Sequence, residues 1–220
     1  MSRKGPSDVR ERTNNGRDPF EEGFVHRTFL MERYILSCLL VISIVAVAGV
    51  FFFQDYWIHR YDGLITRQAS VYRLDERLVW SVIYEETYFR PWKIGAADEV
   101  GLMQVTPLVA RDWAKETGFK EFEREAAENS VAFLGDPERN IQIGCWYLEK
   151  LREKYRGYPA ETSMTLAAYN AGPSRVDEWT HDVNLTTFSE NDFVERIGIS
   201  STKAYVTSIL NRYRNSQPKG

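Results

Sequence analysis

The longest apolar stretch of the chain lies near its N-terminus. Residues 34–54 contain no charged side chain, and Arg33 and Asp55 bound them. At about 1.5 Å per residue, a helix of this length matches the roughly 30 Å hydrocarbon thickness of a bilayer. A cleaved signal peptide is the rival interpretation, but the segment ahead of the run is too long for its n-region. The pattern therefore predicts a membrane-spanning signal anchor at 34–54.

The segments on either side of this run are polar. Residues 1–33 contain too few apolar side chains to offset chain entropy by burial, so we predict a flexible tail. Residues 55–68 are predicted to form a short tether. Basic residues are nearly balanced across the predicted span, so charge alone leaves its orientation open.

Beyond the tether, apolar side chains recur at helical spacing, and signals for strands are poor. Turn residues separate the periodic segments. The sequence therefore predicts a mostly α-helical domain over residues 69–217. The predicted helices are 69–89, 107–117, 119–128, 141–155, 164–170, 173–179, 192–197 and 201–214.

Composition and charge narrow the classes of function. The net charge of −3 gives no clustered basic surface, so we expect no nucleic-acid binding. The two cysteines are Cys38, inside the apolar run, and Cys145, and we predict no disulfide between them. The three histidines are scattered without ligand spacing, so we predict neither a metal site nor a cofactor.

Two neighbouring carboxylates end the first predicted helix of this domain. Apolar residues at helical spacing precede Glu85 and Glu86, and Pro91 prevents the helix from continuing. The helical wheel places Glu86 slightly nearer the middle of the apolar stripe. Because apolar surroundings favour the neutral form of a carboxyl group, Glu86 is a candidate general acid. A solvated helix end is the alternative interpretation of this pair.

Four separated motifs occur in order along the domain. They are EETYFRP at 85–91, GLMQVTP at 101–107, NIQIGCWYLEKL at 140–151 and AAYNAGPSRV at 167–176. In this order and spacing they resemble the SLT-type lytic transglycosylases, which are peptidoglycan-cleaving enzymes. The resemblance covers roughly residues 69–214. It implies a lysozyme-like helical fold of the goose-type and SLT class, following a single N-terminal transmembrane helix.

The resemblance implies which residues form the site. Glu86 matches the single catalytic glutamate of the family. The other matching positions belong to the substrate cleft, and they are Thr87, Gly101, Met103, Gln104, Tyr169, Asn170, Ala171 and Glu195. Thr87 stands where the family usually has serine. Asp98 and Glu99 stand where it usually has glycine and alanine, so the loop departs from the family pattern there.

Two further matches are implied to be structural. The motif at 140–151 resembles a scaffold helix, in which Gly144 would allow close packing of another helix. Tyr205 matches the closing helix of the family.

The reaction implied by the resemblance uses one carboxylate. Ordinary glycoside hydrolysis needs two carboxyl groups about 5 to 9.5 Å apart, and adjacent helix positions such as Glu85 and Glu86 do not face one another. In the implied reaction, Glu86 protonates the oxygen that leaves C1 of N-acetylmuramic acid in its β-1,4 bond to N-acetylglucosamine. The 2-acetamido group stabilises that carbon. Glu86 then accepts the proton of the C6 hydroxyl, which gives a 1,6-anhydro end.

Two alternatives to this reaction remain open. A lysozyme-type muramidase of the same fold would add water instead of the internal hydroxyl. A non-catalytic module that binds the cell wall would keep the cleft without cleaving the glycan.

The resemblance also implies a location. Peptidoglycan lies outside the cytoplasmic membrane of bacteria, so residues 1–33 would be cytoplasmic and the domain would lie on the periplasmic side of the inner membrane. The expected partners are glycan strands and, through residues 34–54, the membrane. The sequence identifies no partner in the cell-wall machinery.

Overall fold

The computed structural model describes residues 19–119 and 131–215. Contacts divide the chain into two units, residues 1–54 and residues 55–220. Helix α1 runs from Pro19–His59. By length and composition, one helical stretch among the described residues could cross a membrane, and it contains residues 34–54. The large apolar side chains of residues 34–54 are exposed.

Helix α1 begins earlier than the apolar run. Residues 1–18 of the predicted flexible tail lie outside the described residues, but residues 19–33 are helical. The prediction of a flexible tail is wrong for this second part. Extending an existing helix adds one hydrogen bond per residue without a new nucleation cost, so polar residues continue a helix that the apolar run has formed.

The described part of residues 55–220 is built from helices. They are α2 (Asp62–Val71), α3 (Glu76–Thr87), α4 (Pro107–Thr117), α5 (Pro137–Tyr155), α6 (Glu161–Ala171), α7 (Pro173–Thr180), α8 (Glu190–Arg196) and α9 (Ser200–Asn215). Residues 131–135 are also helical. Two isolated β-bridges occur near residues 94–105, and the described residues contain no strand. The predicted mostly α-helical class is confirmed.

Two expected boundaries differ from the structure. The segment 55–68, expected as a tether, contains the end of α1, a turn at residues 60–61 and the first part of α2, in which Ile65 and Gln68 are buried. The single helix predicted over 69–89 is interrupted between α2 and α3. Arg73 there has a φ of 55°, and Asp75 caps the N-terminus of α3. Because a capped turn can follow an amphipathic helix without changing its apolar spacing, periodicity alone missed this break. Of the predicted helix 119–128, only residue 119 lies within the described residues.

Helix α6 lies at the centre of the domain. It packs against α5, α7, α8 and α9, and its residues 163–168 are all buried. The hydroxyl groups of Ser163 and Thr165 donate to backbone carbonyls one turn earlier, so their burial leaves no unpaired donor. The helix ends at Gly172, whose φ of 89° is accessible to glycine without strain. Its C-terminal end therefore holds Tyr169 and Asn170 in fixed positions.

Candidate active site

Helix α3 presents Glu86 in its last turn. The helix starts at Asp75, whose side chain accepts a hydrogen bond from the backbone N–H of Arg77 at 2.9 Å. Its apolar face packs into the core through Leu78, Val79, Val82 and Ile83. A capped start and a buried face fix the register of the helix, so the position of Glu86 is fixed as well.

The end of α3 is set by tertiary contacts. The helix stops at Thr87, four residues before Pro91. Tyr88 and Phe89 have φ values of 50° and 59°, in the left-handed region that costs a non-glycine residue about 1–2 kcal/mol. The indole N–H of Trp57 donates to the carbonyl of Tyr88 at 3.0 Å, and the Phe89 ring is fully buried. These contacts offset the strain and end the helix earlier than Pro91 alone requires.

Glu86 is partly buried, and its surroundings favour the neutral carboxyl group. The Tyr205 hydroxyl donates to Glu86 Oε1 at 2.7 Å. Burial raises the pKa of Glu86 to about 7. The hydrogen bond from Tyr205 and the charge of Lys93 act in the opposite direction, while the charges of Glu99 and Glu85 raise the pKa further. The carboxyl group is therefore poised to exchange a proton near neutral pH.

Glu85 has a different environment from its neighbour. Its Oε2 accepts hydrogen bonds from the Ser208 hydroxyl at 2.7 Å and from Arg212 at 3.0 Å. The bond to Arg212 is an ion pair. The structure thus distinguishes two adjacent glutamates that sequence periodicity barely separated.

The Asn140 side chain binds the loop that contains residues 101–104 from the interior of the domain. Its Oδ1 accepts from the N–H of Met103 at 2.7 Å, and its Nδ2 donates to the carbonyls of Val100 and Leu134, both at 2.8 Å. Gly101 has a φ of 79°, and a Cβ atom there would overlap the Asn140 amide. The glycine is required for both its backbone conformation and this close approach.

Gln104 lies at the turn of this loop with a φ of 48°. Its Nε2 donates to the carbonyls of Lys93 at 3.1 Å and Gly101 at 3.0 Å, which fixes the orientation of the amide. Its Oε1 and the Glu99 carboxylate both approach the same side of Gly95, where a Cβ atom would collide with Glu99. Two hydrogen-bond acceptors therefore lie side by side on this loop.

Thr87 and Met103 lie inside the domain. The Thr87 hydroxyl donates to the carbonyls of Leu102 at 3.0 Å and Ile83 at 3.2 Å, which joins α3 to the loop. Met103 is fully buried, and a Cβ atom at Gly144 would overlap its side chain. Gly144 therefore admits a loop side chain and not another helix, which corrects the sequence prediction. The side chains of Thr87 and Met103 are both buried, and their expected contact with substrate stays a prediction.

The end of α6 meets the same loop. The Tyr169 hydroxyl donates to the carbonyl of Met103 at 2.7 Å. Burial raises the pKa of Tyr169 well above its usual value, and the nearby charge of Glu86 raises it further. Asn170 is exposed, and its Oδ1 accepts from the Thr202 hydroxyl at 2.8 Å. Ala171, the last residue of α6, is partly buried beside them.

Glu195 is separated from this group. It is an exposed residue of α8, and its carboxylate pairs with Lys203 of α9 at 3.0 Å. Within the part of the chain that the structure describes, no hydrogen bond or ion pair connects it to Glu86, Gln104 or Tyr169. The structure places Glu195 in a surface ion pair between two helices, and its expected role in the cleft stays a prediction.

Sequence reasoning missed three neighbours of Glu86. Tyr205 was assigned to the closing helix only, although its hydroxyl reaches Glu86 across 119 residues of chain. The Lys93 ammonium group donates to the backbone carbonyl of Glu86. Glu99, which departs from the family pattern in sequence, lies close enough to Glu86 to raise the pKa of its carboxyl group. The one available signal was that Tyr205 lies on the apolar face of an amphipathic helix.

Comparison with known proteins identifies the family. The profile of the transglycosylase SLT domain matches residues 63–190, which is more than half of the chain. The chain belongs to the SLT transglycosylase domain family. The chain is similar to membrane-bound lytic murein transglycosylase C of Histophilus somni. The two are 37% identical over 122 residues, which cover 53% of this chain and 32% of that protein. The protein of the same name from Yersinia pestis is 31% identical over 145 residues, covering 64% and 39%.

Solved structures show the same fold as this SLT domain. The 70-kDa soluble lytic transglycosylase of Escherichia coli aligns over 70% of this chain and 23% of its own, with a TM-score of 0.59 and 28% identity. An inactive mutant of the lytic transglycosylase Slt from Pseudomonas aeruginosa aligns over 71% and 24%, with a TM-score of 0.61 and 24% identity. The expected lysozyme-like SLT fold is confirmed. The chain spans about a third of the length of its curated relatives.

The departure at residues 98–99 is compatible with the loop of an SLT domain. Asp98 has a φ of 61°, a conformation that glycine adopts freely and that aspartate tolerates better than most residues. Aspartate at position 98 therefore adopts a backbone conformation that favours glycine. The second substitution has a larger effect, because Glu99 brings a carboxylate close enough to influence the pKa of Glu86.

Proposed function

We propose that this chain is a membrane-anchored lytic transglycosylase that cleaves the β-1,4 bond between N-acetylmuramic acid and N-acetylglucosamine in peptidoglycan. The observation that carries the proposal is the environment of Glu86. Its carboxyl group lies at the end of α3 with a pKa raised to about 7, and it accepts a hydrogen bond from the neutral hydroxyl of Tyr205. Such a group can donate a proton at neutral pH and accept one back.

The reaction needs no second carboxylate. Protonated Glu86 donates its proton to the glycosidic oxygen as the bond to C1 breaks, and the substrate acetamido group stabilises the carbon. The resulting carboxylate then takes the proton of the C6 hydroxyl as the C6 oxygen bonds to C1. The hydrogen bond from Tyr205 favours the anion between the two steps. General acid and base catalysis of this kind contributes about 10²–10⁴ in rate.

The remaining site residues would bind and orient the sugar. With Oδ1 of Asn170 accepting from Thr202, its amide N–H groups can donate to the carbonyl of an acetamido group. The fixed Oε1 of Gln104 can accept from a sugar hydroxyl. Tyr169 would act indirectly, since its hydroxyl holds the carbonyl of Met103.

A muramidase is the second candidate, and Glu99 is the observation that favours it. Its carboxylate raises the pKa of Glu86, so it lies within electrostatic range of the proposed acid. In glycosidases that invert configuration, a second carboxylate activates the attacking water. Glu99 could serve this purpose if water reaches C1 in the bound complex.

Digestion of purified sacculi by the full chain separates these candidates. We expect mass spectrometry of the released muropeptides to show 1,6-anhydro ends, which are lighter than hydrolysed ends by one water. Reducing ends that disappear in Glu99→Gln would instead establish the muramidase. Retention of the chain on sacculi without any released product would show a non-catalytic module that binds the wall.

The rate of cleavage should depend on pH through Glu86. The neutral carboxyl group is the reactive acid, and a raised pKa keeps it neutral to a higher pH than an ordinary glutamate. We therefore expect kcat to fall as pH rises through about 7, by roughly tenfold per pH unit well above that value. A pH–rate profile of sacculus cleavage measures this limb. If kcat already fell with rising pH below pH 5, Glu86 would not be the acid.

We further propose that residues 34–54 anchor the domain in the bacterial inner membrane, with the domain on the periplasmic side. The exposed apolar side chains of this stretch support a membrane span, and the relatives named above are membrane-bound proteins. Peptidoglycan as substrate requires the domain to lie outside the cytoplasm. In spheroplasts, added protease should digest the domain, whereas protection of the region around Trp113 would contradict this orientation.

A further inference from the structure

Helix α9 contacts the end of α3 through three side chains on one face. Tyr205, Ser208 and Arg212 follow one another at spacings of three and four residues, which places them on a common stripe of the helix. Tyr205 donates to Glu86 at 2.7 Å. Ser208 and Arg212 donate to the neighbouring Glu85 at 2.7 and 3.0 Å. The same stripe therefore binds the proposed acid and the carboxylate beside it.

Arg212 is held on several sides. Its guanidinium group lies over the ring of Tyr84, 4.1 Å from the ring centroid, and also donates to the Ser208 hydroxyl at 3.3 Å. The side chains of Arg212 and Glu85 are 23% and 26% exposed, whereas those of the surface pair Lys154–Asp177 are 42% and 59% exposed. A partly buried pair is screened less by solvent, and removing one member leaves an uncompensated charge.

We propose that the Glu85–Arg212 ion pair is a positioning element of the site. The pair fixes the position of α9 against α3, so that the Tyr205 hydroxyl can donate to Glu86. It also keeps the sum of the charges beside Glu86 close to zero. Neither residue contacts the reacting atoms. This inference rests on the proposed role of Glu86 as the acid, and it assigns to Glu85 a purpose that the family motif leaves open.

The proposal predicts opposite effects for the two partners. Several groups set the titration of Glu86, and those facing it are Tyr205 on α9, Tyr169 on α6, Lys93 and Glu99 on the loop, and Glu85 on its own helix. Loss of the Glu85 charge leaves the Arg212 cation unbalanced, which stabilises ionised Glu86. Loss of the Arg212 charge leaves the Glu85 anion unbalanced, which stabilises neutral Glu86. Loss of both charges restores the balance.

The test is a titration of Glu86 in the full chain in detergent. The protein carries ¹³C-labelled glutamate, and Glu86→Gln identifies the Glu86 carboxyl resonance. We expect Glu85→Gln to lower the midpoint of that resonance by on the order of 0.5 pH unit, and Arg212→Gln to raise it by a similar amount. The double variant Glu85→Gln/Arg212→Gln should return close to the wild-type midpoint.

Two controls separate charge balance from general loosening of the fold. Asp177→Asn breaks the surface pair with Lys154 and should leave the midpoint unchanged. Arg212→Lys keeps the charge with a different shape, so its midpoint should stay close to that of the wild type. This comparison remains possible if Arg212→Gln does not fold. Shifts of the same sign in both single variants, or no cancellation in the double variant, would overturn the proposal.

The titration does not depend on catalysis. If the wild-type chain releases no muropeptides but the opposite shifts and their cancellation are seen, the proposed function fails and the positioning role of the pair stands. If sacculi are cleaved and the shifts are absent, the positioning role fails alone.

Discussion

Replacement of Glu86 by glutamine should reduce cleavage of sacculi by about 10²–10⁴ while leaving the fold intact. Glutamine has nearly the shape of glutamate, and its amide oxygen can still accept the hydrogen bond that Tyr205 donates to Glu86 Oε1 at 2.7 Å. The amide group cannot act as the acid or the base. The loss should therefore appear in kcat, since binding of the glycan by other residues is retained.

The measurement is the initial rate of muropeptide release by the full chain, with wild type and variant at the same detergent and protein concentration. Glu178→Gln is a matched control, because Glu178 is an exposed helix residue whose side chain pairs with a neighbour on its own helix, Arg175. We expect that control to cleave at the wild-type rate. If Glu86→Gln retained more than a tenth of the wild-type turnover, Glu86 would not be the acid.

Replacement of Asn140 by alanine should have the largest effect on stability. Two backbone groups would lose their partner, namely the N–H of Met103 and the carbonyl of Leu134, whereas the carbonyl of Val100 would keep its bond from the N–H of Val105. A buried polar group left without a partner costs about 1–3 kcal/mol, so the variant should lose at least roughly 2 kcal/mol. For a domain of this size, that loss corresponds to a decrease in Tm of about 4–8 °C.

Thermal unfolding followed by near-ultraviolet circular dichroism measures this change, because the signal comes from packed aromatic rings and not from the helical backbone of α1. Asn184→Ala is the control, since the Asn184 side chain is exposed and binds its near neighbour Thr186 in a turn. A decrease in Tm below 2 °C for Asn140→Ala would show that the loop does not depend on this amide. Activity should fall together with stability, because Asn140 and Tyr169 both bind Met103.

These two predictions differ in what they report about the protein. Glu86 is proposed to transfer the proton in the reaction, so replacing it should leave the unfolding transition nearly unchanged. Asn140 supports the loop that carries Gln104, so replacing it should lower both the Tm and the rate of cleavage. A variant that lowers the rate of cleavage without changing the Tm therefore affects the reaction, whereas one that lowers the Tm affects the support of the loop.

Several features of this protein followed from the sequence alone. The apolar run at 34–54, the helical spacing of the domain and the glutamate of the motif are local patterns, and local patterns determine which segments form helices. The resemblance of four motifs placed Glu86, Gln104 and Tyr169 in one site. The structure brings the elements that carry these residues together through hydrogen bonds to residues 93, 101 and 103.

Other features depended on contacts between distant segments. The left-handed end of α3 requires Trp57, the support of the loop requires Asn140, and the partner of Glu86 is Tyr205. The adjacent glutamates on α3 are nearly equivalent by helical periodicity. They differ because α9 gives one of them a cation and the other a neutral hydroxyl group. The sequence by itself determined the helices and the candidate glutamate, whereas only the tertiary structure decided how each carboxyl group is held, because burial and partners depend on the packing of remote helices.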